Sequence, residues 1–455
     1  MSRKRPTLNQ AVIDQAADIG NQVVSDILGR LRREQGVVAE AVAGAGKSHF
    51  MATTTGRLRQ AGARVAVAAP TNEQVYSLVD RIARLNPQLP VVFLPGGGRV
   101  LPAATVALPN VSVEATKEAV DRRTPLVVAT LDKFADAATR DLGGYDALLI
   151  DEAFQADAAK YYAAGGIATT HLLVGDSGQL DPFTTLPDAT WWRGGPEDPL
   201  QTAVGVLLRN HPATPVHRLP ITWRLDPRSV AMARAFYRAD HHFDAAVLPE
   251  VRQLRLDPAQ GRRTAAVDRA LDEAAASGWA HLTLPGSALV SADPDTARLI
   301  VDLIERLFGR SPTTECEDRS TPVALDPRRV AVGVSHNDQK DLLRATLDAA
   351  GWHDVVVSTA NKLQGLQYDV VIAWHPLAGQ AEADAFHLDP GRLCVLLTRH
   401  RHACIVVGRE ADRDLLDGMP PATPAYLGWN PDPVLDGWDI HESVFDQLEK
   451  HHIAA

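Results

Sequence analysis

The chain is short of cysteine, of long apolar runs and of positive charge, and each shortage removes a class of protein. Its three cysteines, Cys316, Cys394 and Cys404, are scattered and form no CxxC pair, which excludes a disulfide scaffold. Such thiols suit a reducing compartment, so a cytoplasmic location is expected. No apolar stretch reaches the roughly 18 residues a membrane helix needs, and no membrane partner is expected. The opening MSRKRPTLNQ is basic but lacks the apolar stretch of a secretory signal. With 46 basic against 56 acidic residues the formal charge is −10, so bulk positive charge cannot hold this protein on nucleic acid. A local basic groove stays compatible with that balance, because phosphate contacts depend on where the arginines lie. No internal repeat is present.

What is there reads as a globular α/β protein. At 455 residues, 45% hydrophobic and 22% charged, the chain is long enough for two or three domains of roughly 150 residues each. Short β-branched runs alternate with helix-like stretches such as His49 to Ala61 and Glu73 to Leu85. Expected strands are Val37 to Val42, Arg64 to Ala68, Leu126 to Ala129, Ala147 to Ile150 and Leu172 to Val174. A second set follows at Val330 to Val334, Val355 to Val357, Val370 to Ala373, Val395 to Leu397 and Ile405 to Val407. Compact apolar runs of this kind suit parallel sheets covered on both faces. The expected division is 1–216 and 217–428, with insertions at about 87–125 and 239–321 and a polar tail at 429–455.

The first chemical signal is Ala41-Val42-Ala43-Gly44-Ala45-Gly46-Lys47-Ser48, which follows a strand and opens a helix. Glycines let backbone N–H groups close around phosphates, and the helix N-terminus adds its positive dipole end. Lys47 would reach the outer phosphates and Ser48 would ligate magnesium, with Ala43, Gly44, Ala45, Gly46 and His49 completing the cradle. The pattern departs from GxxxxGKS only at its first position, Ala41. A second strand then delivers Asp151 and Glu152 after Leu148-Leu149-Ile150. Asp151 would hold the magnesium through its water, and Glu152 would polarise the attacking water. Alone, such an acidic pair could equally cap a helix; beside a phosphate loop it reads as catalytic.

Further pieces follow in order, and with them the chain resembles the superfamily 1 helicases over residues 10 to 410. Ala69-Pro70-Thr71-Asn72 looks like the first strand-contacting motif, and Gly175-Asp176-Ser177-Gly178-Gln179-Leu180-Asp181-Pro182 resembles GDxxQLPP. Ile221-Thr222-Trp223-Arg224-Leu225, followed by Arg234-Ala235-Phe236-Tyr237, is similar to the YR segment. Ser335-His336-Asn337-Asp338-Gln339 looks like PYxxQ. The run from Ser358 and Thr359 to Gln364-Gly365-Leu366-Gln367-Tyr368-Asp369 resembles TxxxxQGxExD, and Leu396-Leu397-Thr398-Arg399-His400 resembles ALTRA.

The resemblance implies two RecA-like domains with ATP and Mg²⁺ in the cleft between them and single-stranded DNA or RNA across both. Gln179 would sense the γ-phosphate, and Arg224 and Arg399 would reach it. Gln364, Gly365 and Gln367 would hold the nucleotide, while Thr71, Asn72, Ser358 and Thr359 would grip the strand. The GDxxQLxP form points to the RecD-type and nonsense-decay branch, with some viral character in His400, and so to 5′-to-3′ movement by a monomer. Gln367 replaces the usual Glu, which removes a charge from the ribose contact. For the adenine-reading glutamine, Gln22 is placed ahead of Gln10 and Gln15.

A second function class stays open: a nucleotide-switched ATPase that acts on protein partners in assembly or defence and moves no strand. Trp191-Trp192-Arg193 could stack bases, though packing beneath a loop is the expected role. His241-His242 and His451-His452 lack a third metal ligand and are expected at the surface. Cys394 and Cys404 are expected as small buried fillers.

Overall fold

The computed structural model describes residues 7–31, 33, 35–114, 120, 124–136, 142–180, 182, 192, 195, 198–260, 265–287, 290–319, 321–418 and 433–455. Its short apolar runs become strands buried on both faces, as unbroken Val, Ala and Leu sequences require. The first sheet contains β1 (Gln35–Glu40), β2 (Val65–Ala69), β3 (Val91–Phe93), β4 (Val111–Val113), β5 (Leu126–Thr130), β6 (Tyr145–Ile150), β7 (Ala168–Gly175) and β8 (Val216–Arg218). Their order is β4-β3-β5-β2-β6-β7-β1-β8, and every pairing is parallel. The expected insertion at 87–125 thus supplies the last two strands at one side of this sheet, with β4 at the edge.

Small ladders follow: β9 (Ile221–Thr222) pairs with β10 (Asp244–Ala245), and after β11 (Gln253–Arg255) comes β12 (Trp279–Leu284), the first strand in chain order of a larger sheet. Then come β13 (Thr313–Glu315) and β14 (Val323–Ala324), which join β11 in a three-stranded antiparallel ladder. The second large sheet is completed by β15 (Val330–Val334), β16 (Val356–Thr359), β17 (Tyr368–Trp374), β18 (His400–Arg409) and β19 (His452–Ala454). It runs β16-β15-β17-β18-β12-β19, again wholly parallel. The fold is α/β, with two parallel sheets flanked by helices.

Three expectations need correction. Val395 to Leu397 is not a strand but the end of the fully buried helix Pro390–Leu397. An apolar run shows the same hydrophobicity as a buried strand or a buried helix, and here Asp389 caps the helical choice through the Gly391 N–H. The 239–321 segment is not wholly peripheral, since its β12 sits between β18 and β19. The 429–455 segment is no mere tail: helix Pro433–Leu448 and β19 close the second sheet.

Helices form where periodicity and caps agree. In helix Asn72–Leu85, Val75, Leu78, Val79 and Ile82 make one buried stripe, and Thr71 with Gln74 forms a capping box at its start. Two apolar layers cover the faces of the first sheet, and one lies on the second. A further cluster runs from Ala41, Val42 and Ala45 through Leu225 and Phe236 to Leu363, Leu393 and Val406, so the two halves share a core. Among the described residues, no helix is long and apolar enough to cross a membrane.

Candidate active site

Parallel strands present their carboxyl ends on one rim, where loops can converge on a ligand. On the first sheet that rim carries the segments after β1, β2, β6 and β7. Beyond β1 the chain turns through Ala41 to Gly46 and enters helix Lys47–Gln60. Gly44 and Gly46 have φ of 76° and 85°, which disfavours any side chain there. A Cβ on Gly44 would also lie 2.3 Å from that of Arg224. The close approach is held by bonds: Trp223 N–H donates to the Gly44 carbonyl at 2.8 Å, and the Thr222 hydroxyl donates to the Ala43 carbonyl at 2.7 Å. The Tyr237 hydroxyl accepts from Ala43 N–H at 2.7 Å and donates to Asp176 at 3.0 Å.

Three carboxylates face the lysine of this turn. Lys47 Nζ lies 3.4 Å from Glu152 Oε1 and 3.6 Å from Asp176 Oδ2. Burial alone would lower the Lys47 pKa, but Glu152, Asp176 and Asp151 together carry it above its ordinary value, so the ammonium stays charged. Burial and the neighbouring Glu152 raise the Asp151 carboxyl. Asp151 accepts one backbone bond, from Glu152 N–H at 3.0 Å, and Glu152 itself holds a left-handed φ of 51°. Ser48, half-buried, is the second residue of the helix; His49 beside it is exposed.

The second half reaches this rim directly. Gln179 donates to Asp176 and accepts from Gln364 Nε2 at 3.1 Å, which joins the two halves by side chains. Gly391 packs so tightly that a Cβ would meet the backbone of Gln179 and Leu180 at 2.7 Å. Arg224 and Arg399 are both buried, and Arg224 NH1 donates to the Thr398 carbonyl at 3.2 Å. Burial, then repulsion from Arg399, lowers Arg224 to about 9. Among the described residues the Arg399 guanidinium bonds only to the Val395 carbonyl, at 3.2 Å, and the Thr398 hydroxyl, at 3.3 Å. Among the described residues neither arginine forms an ion pair, and Arg224 Nε has no partner.

The other expected residues fall in three places. Gly365 and Gln367 are exposed in the turn before β17. Thr71 and Asn72 follow β2, and Ser358 and Thr359 end β16, so both pairs sit at carboxyl ends of their sheets. A cavity of about 410 Å³ opens beside the first pair, lined by Asn72, Gly96, Gly97, Arg99, Thr130 and Lys133 among others. Gln22 is exposed on helix Gln10–Arg30, which buries Val23, Val24 and Ile27 instead. The Thr7–Asn9 segment is bonded to Ala246 and Leu248, and Ala246 in turn to Thr222 beneath the phosphate loop. That chain of bonds ties the start of the helix, where Gln10 stands, to the loop, and Gln22 lies further along the same helix.

Some residues escaped the sequence reading. Trp223 is 43% exposed and its indole lies 3.4 Å from where a Gly46 Cβ would be; its place before Arg224 was the available signal. Asp176 and Tyr237 were visible only as parts of longer strings. His241 is not a surface residue: it is buried, bonded to the Leu219 carbonyl at 3.1 Å and packed on Tyr237 and Phe243. His242 is exposed, while His451 and His452 bond Glu273 and Thr283. Trp192 is exposed rather than packed, and Trp191, Arg193 and Asp181 lie outside the described residues.

A family model described as an AAA domain matches residues 290–411, which hold Gln364 and Arg399. Among solved structures, a helicase of PRRSV is 16% identical, covers 89% of this chain and 56% of its own, with a TM-score of 0.40. Arterivirus nonstructural protein 10, a helicase solved in complex with DNA, is 11% identical over 87% of this chain and 63% of its own, at a TM-score of 0.44. The same arterivirus protein solved separately gives 11% identity, 87% and 64% coverage, and 0.42. This chain therefore spans 56% to 64% of the length of those helicases. No curated protein matches it.

Proposed function

We propose that this chain is an ATP-dependent superfamily 1 helicase or translocase that moves 5′ to 3′ along single-stranded nucleic acid. One observation carries the reading: two buried arginines, Arg224 and Arg399, with no ion-pair partner among the described residues, stand together beside a phosphate loop. Buried charge of one sign is costly unless something opposite meets it, and a polyphosphate on the loop would do so. Lys47 would bind the outer phosphates, and Glu152 would orient the attacking water. Arg224 and Arg399 would stabilise charge on the transferring phosphoryl group.

The donor set fits a hard divalent cation, since Ser48 offers a hydroxyl and Asp151 a carboxylate with acceptor capacity beyond its one backbone bond. When bound, Mg²⁺ would neutralise phosphate charge. In this reading residues 1–216 are one motor lobe and 217–428 the other, and Gln179 passes the state of the site to Gln364 across the cleft. The strand would lie over Thr71 and Asn72 on one rim and Ser358 and Thr359 on the other, gripped alternately as the cleft opens and closes.

The test is ATP hydrolysis titrated side by side with single-stranded DNA and single-stranded RNA. Strong stimulation by one or both, abolished in Lys47→Ala, is the expected result. Hydrolysis that ignores every polymer would overturn the motor reading and favour a nucleotide switch acting on proteins.

A further inference from the structure

The two arginines of the cleft belong to segments 175 positions apart, yet a second set of charged side chains ties those segments together from behind. Arg252, just before β11, has a wholly buried side chain. Its guanidinium donates to the backbone carbonyls of Trp223, at 2.8 Å, and of Arg224. Both remaining faces of its fork meet Glu317, with Nε to Oε2 at 2.9 Å and NH2 to Oε1. Glu317 also accepts from Arg401 NH2 at 2.9 Å, two residues beyond Arg399. The ring then closes on the cleft side, where Arg224 NH1 holds the Thr398 carbonyl at 3.2 Å. Ser229 Oγ and His400 Nε2 add a parallel tie at 2.8 Å.

Two alternatives for this cluster fail. Cys316, Glu317 and Asp318 have ligand atoms close enough together for a metal. Glu317 is already claimed by two guanidinium groups, however, and a cation would have to displace them. A plain surface ion pair is excluded by burial, since the Arg252 side chain is 0% and that of Glu317 12% exposed. Burial would raise the Glu317 carboxyl, but Arg252 and then Arg401 hold it down at about 2, so it is ionised at any working pH. A bidentate buried pair fixes geometry more than it adds stability.

We infer that Arg252 and Glu317 are positioning residues that yoke the Arg224 segment to the Arg399 segment, so that the two guanidinium groups act on one phosphoryl group as a unit. The inference rests on the function proposed above. Neither residue touches the nucleotide; Arg252 fixes the backbone from which Arg224 projects, and Glu317 joins that backbone to the strand that follows Arg399. The device lies in the 239–321 segment, which also supports the phosphate loop from beneath through Ala246.

A double-mutant cycle tests it. Glu317→Gln keeps shape and some hydrogen bonding but removes the charge, and should lower polymer-stimulated kcat about 10-fold with the ATP KM within about twofold. In an Arg224→Ala background, itself expected to lose about 100-fold or more, Glu317→Gln should cost almost nothing further. A merely structural role would multiply the two losses, and that result would overturn the yoke while leaving the motor intact. Unchanged kcat in Glu317→Gln would overturn it equally. Hydrolysis untouched by Arg224→Ala would instead sink the functional reading and the yoke with it. Arg401→Gln loosens the same carboxylate from the Arg399 side and leaves the Arg252 pair in place, and should give a smaller kcat loss of the same kind should Glu317→Gln fold poorly; no loss in that variant would overturn the yoke.

Discussion

Lowering the pH from 7.5 to 5.5 should loosen the C-terminal helix Pro433–Leu448 from the second sheet. Three histidines are buried where that helix docks: His281 on β12, His375 just beyond β17, and His441 on the helix itself. His375 lies against both His441 and Phe445, with ring centroids 5.6 and 4.6 Å apart, and His281 lies 5.5 Å from His452. Among the described residues both nitrogens of His281 and Nε2 of His375 have no hydrogen-bond partner, and His441 faces the His387 backbone without bonding geometry. Burial lowers all three, His281 and His441 to about 3. Between 6.5 and 3 the unfolded chain therefore binds protons that the folded chain refuses, and stability falls as pH falls.

At pH 5.5, one unit below the ordinary histidine value, each ring costs about 1.4 kcal/mol, or roughly 4 kcal/mol for three. Asp412 opposes them: burial pushes its carboxyl up to about 7, and its protonation in the folded state returns about 2 kcal/mol at the same pH. The net loss is roughly 2 kcal/mol, enough to open a local element. His441→Leu, which keeps volume and cannot titrate, should remove about 1.4 kcal/mol of the pH dependence, or about 1.5–3 °C of melting temperature. Thermal unfolding at the two pH values, with amide exchange followed across 433–455, measures this. Curves for wild type and variant that stay parallel from pH 7.5 to 5.5 would refute the argument.

Other outcomes follow from the cleft. Gly391→Ala would drive a methyl into the Gln179–Leu180 backbone, so thermal stability should drop by about 1–3 kcal/mol and ATP hydrolysis with it; an unaltered protein would show the contact to be soft. Trp223→Ala should raise the KM for ATP about 10-fold with kcat and melting temperature little changed, because the indole is exposed beside the loop and free to stack on a base. Equal loss of kcat and KM would assign it a different task. Glu152→Gln should lower kcat by about 10²-fold or more and leave ATP-induced thermal stabilisation in place, which separates water activation from nucleotide binding.

Strands buried on both faces were legible because β-branched runs have few other uses, and β15 matches its expected span to the residue. The phosphate loop was legible because its chemistry depends on backbone shape that only Gly44 and Gly46 allow at low cost. Val395 to Leu397 was misread because an apolar run of three carries no periodicity. Strand β12 was missed because Trp279–Leu284 alternates with His281 and Thr283, which look solvent-facing until His281 proves buried. Arg252 and Glu317 were invisible for a different reason: 65 positions separate them, and an isolated Arg or Glu in sequence looks like any surface charge. Contacts between distant residues are what folding adds.

The cleft combines two tendencies that oppose one another. Apolar packing from Ala41 to Val406, the Gln179–Gln364 bond and the close seat of Gly391 all draw the halves together. Arg224 and Arg399, both on the second half's side of that seam, repel each other inside it, and Asp176 from the first half offsets Arg224 only in part. A triphosphate brings charge of the missing sign, so in the proposed function nucleotide binding and lobe closure are one electrostatic event. Once the γ-phosphate departs, the two guanidinium groups lose the anion that drew them to the loop, and the seam is biased to open. A motor needs its fuel to change which state is favoured, and a pair of cations on one lobe that a phosphate seated on the other lobe neutralises meets that need without any further moving part.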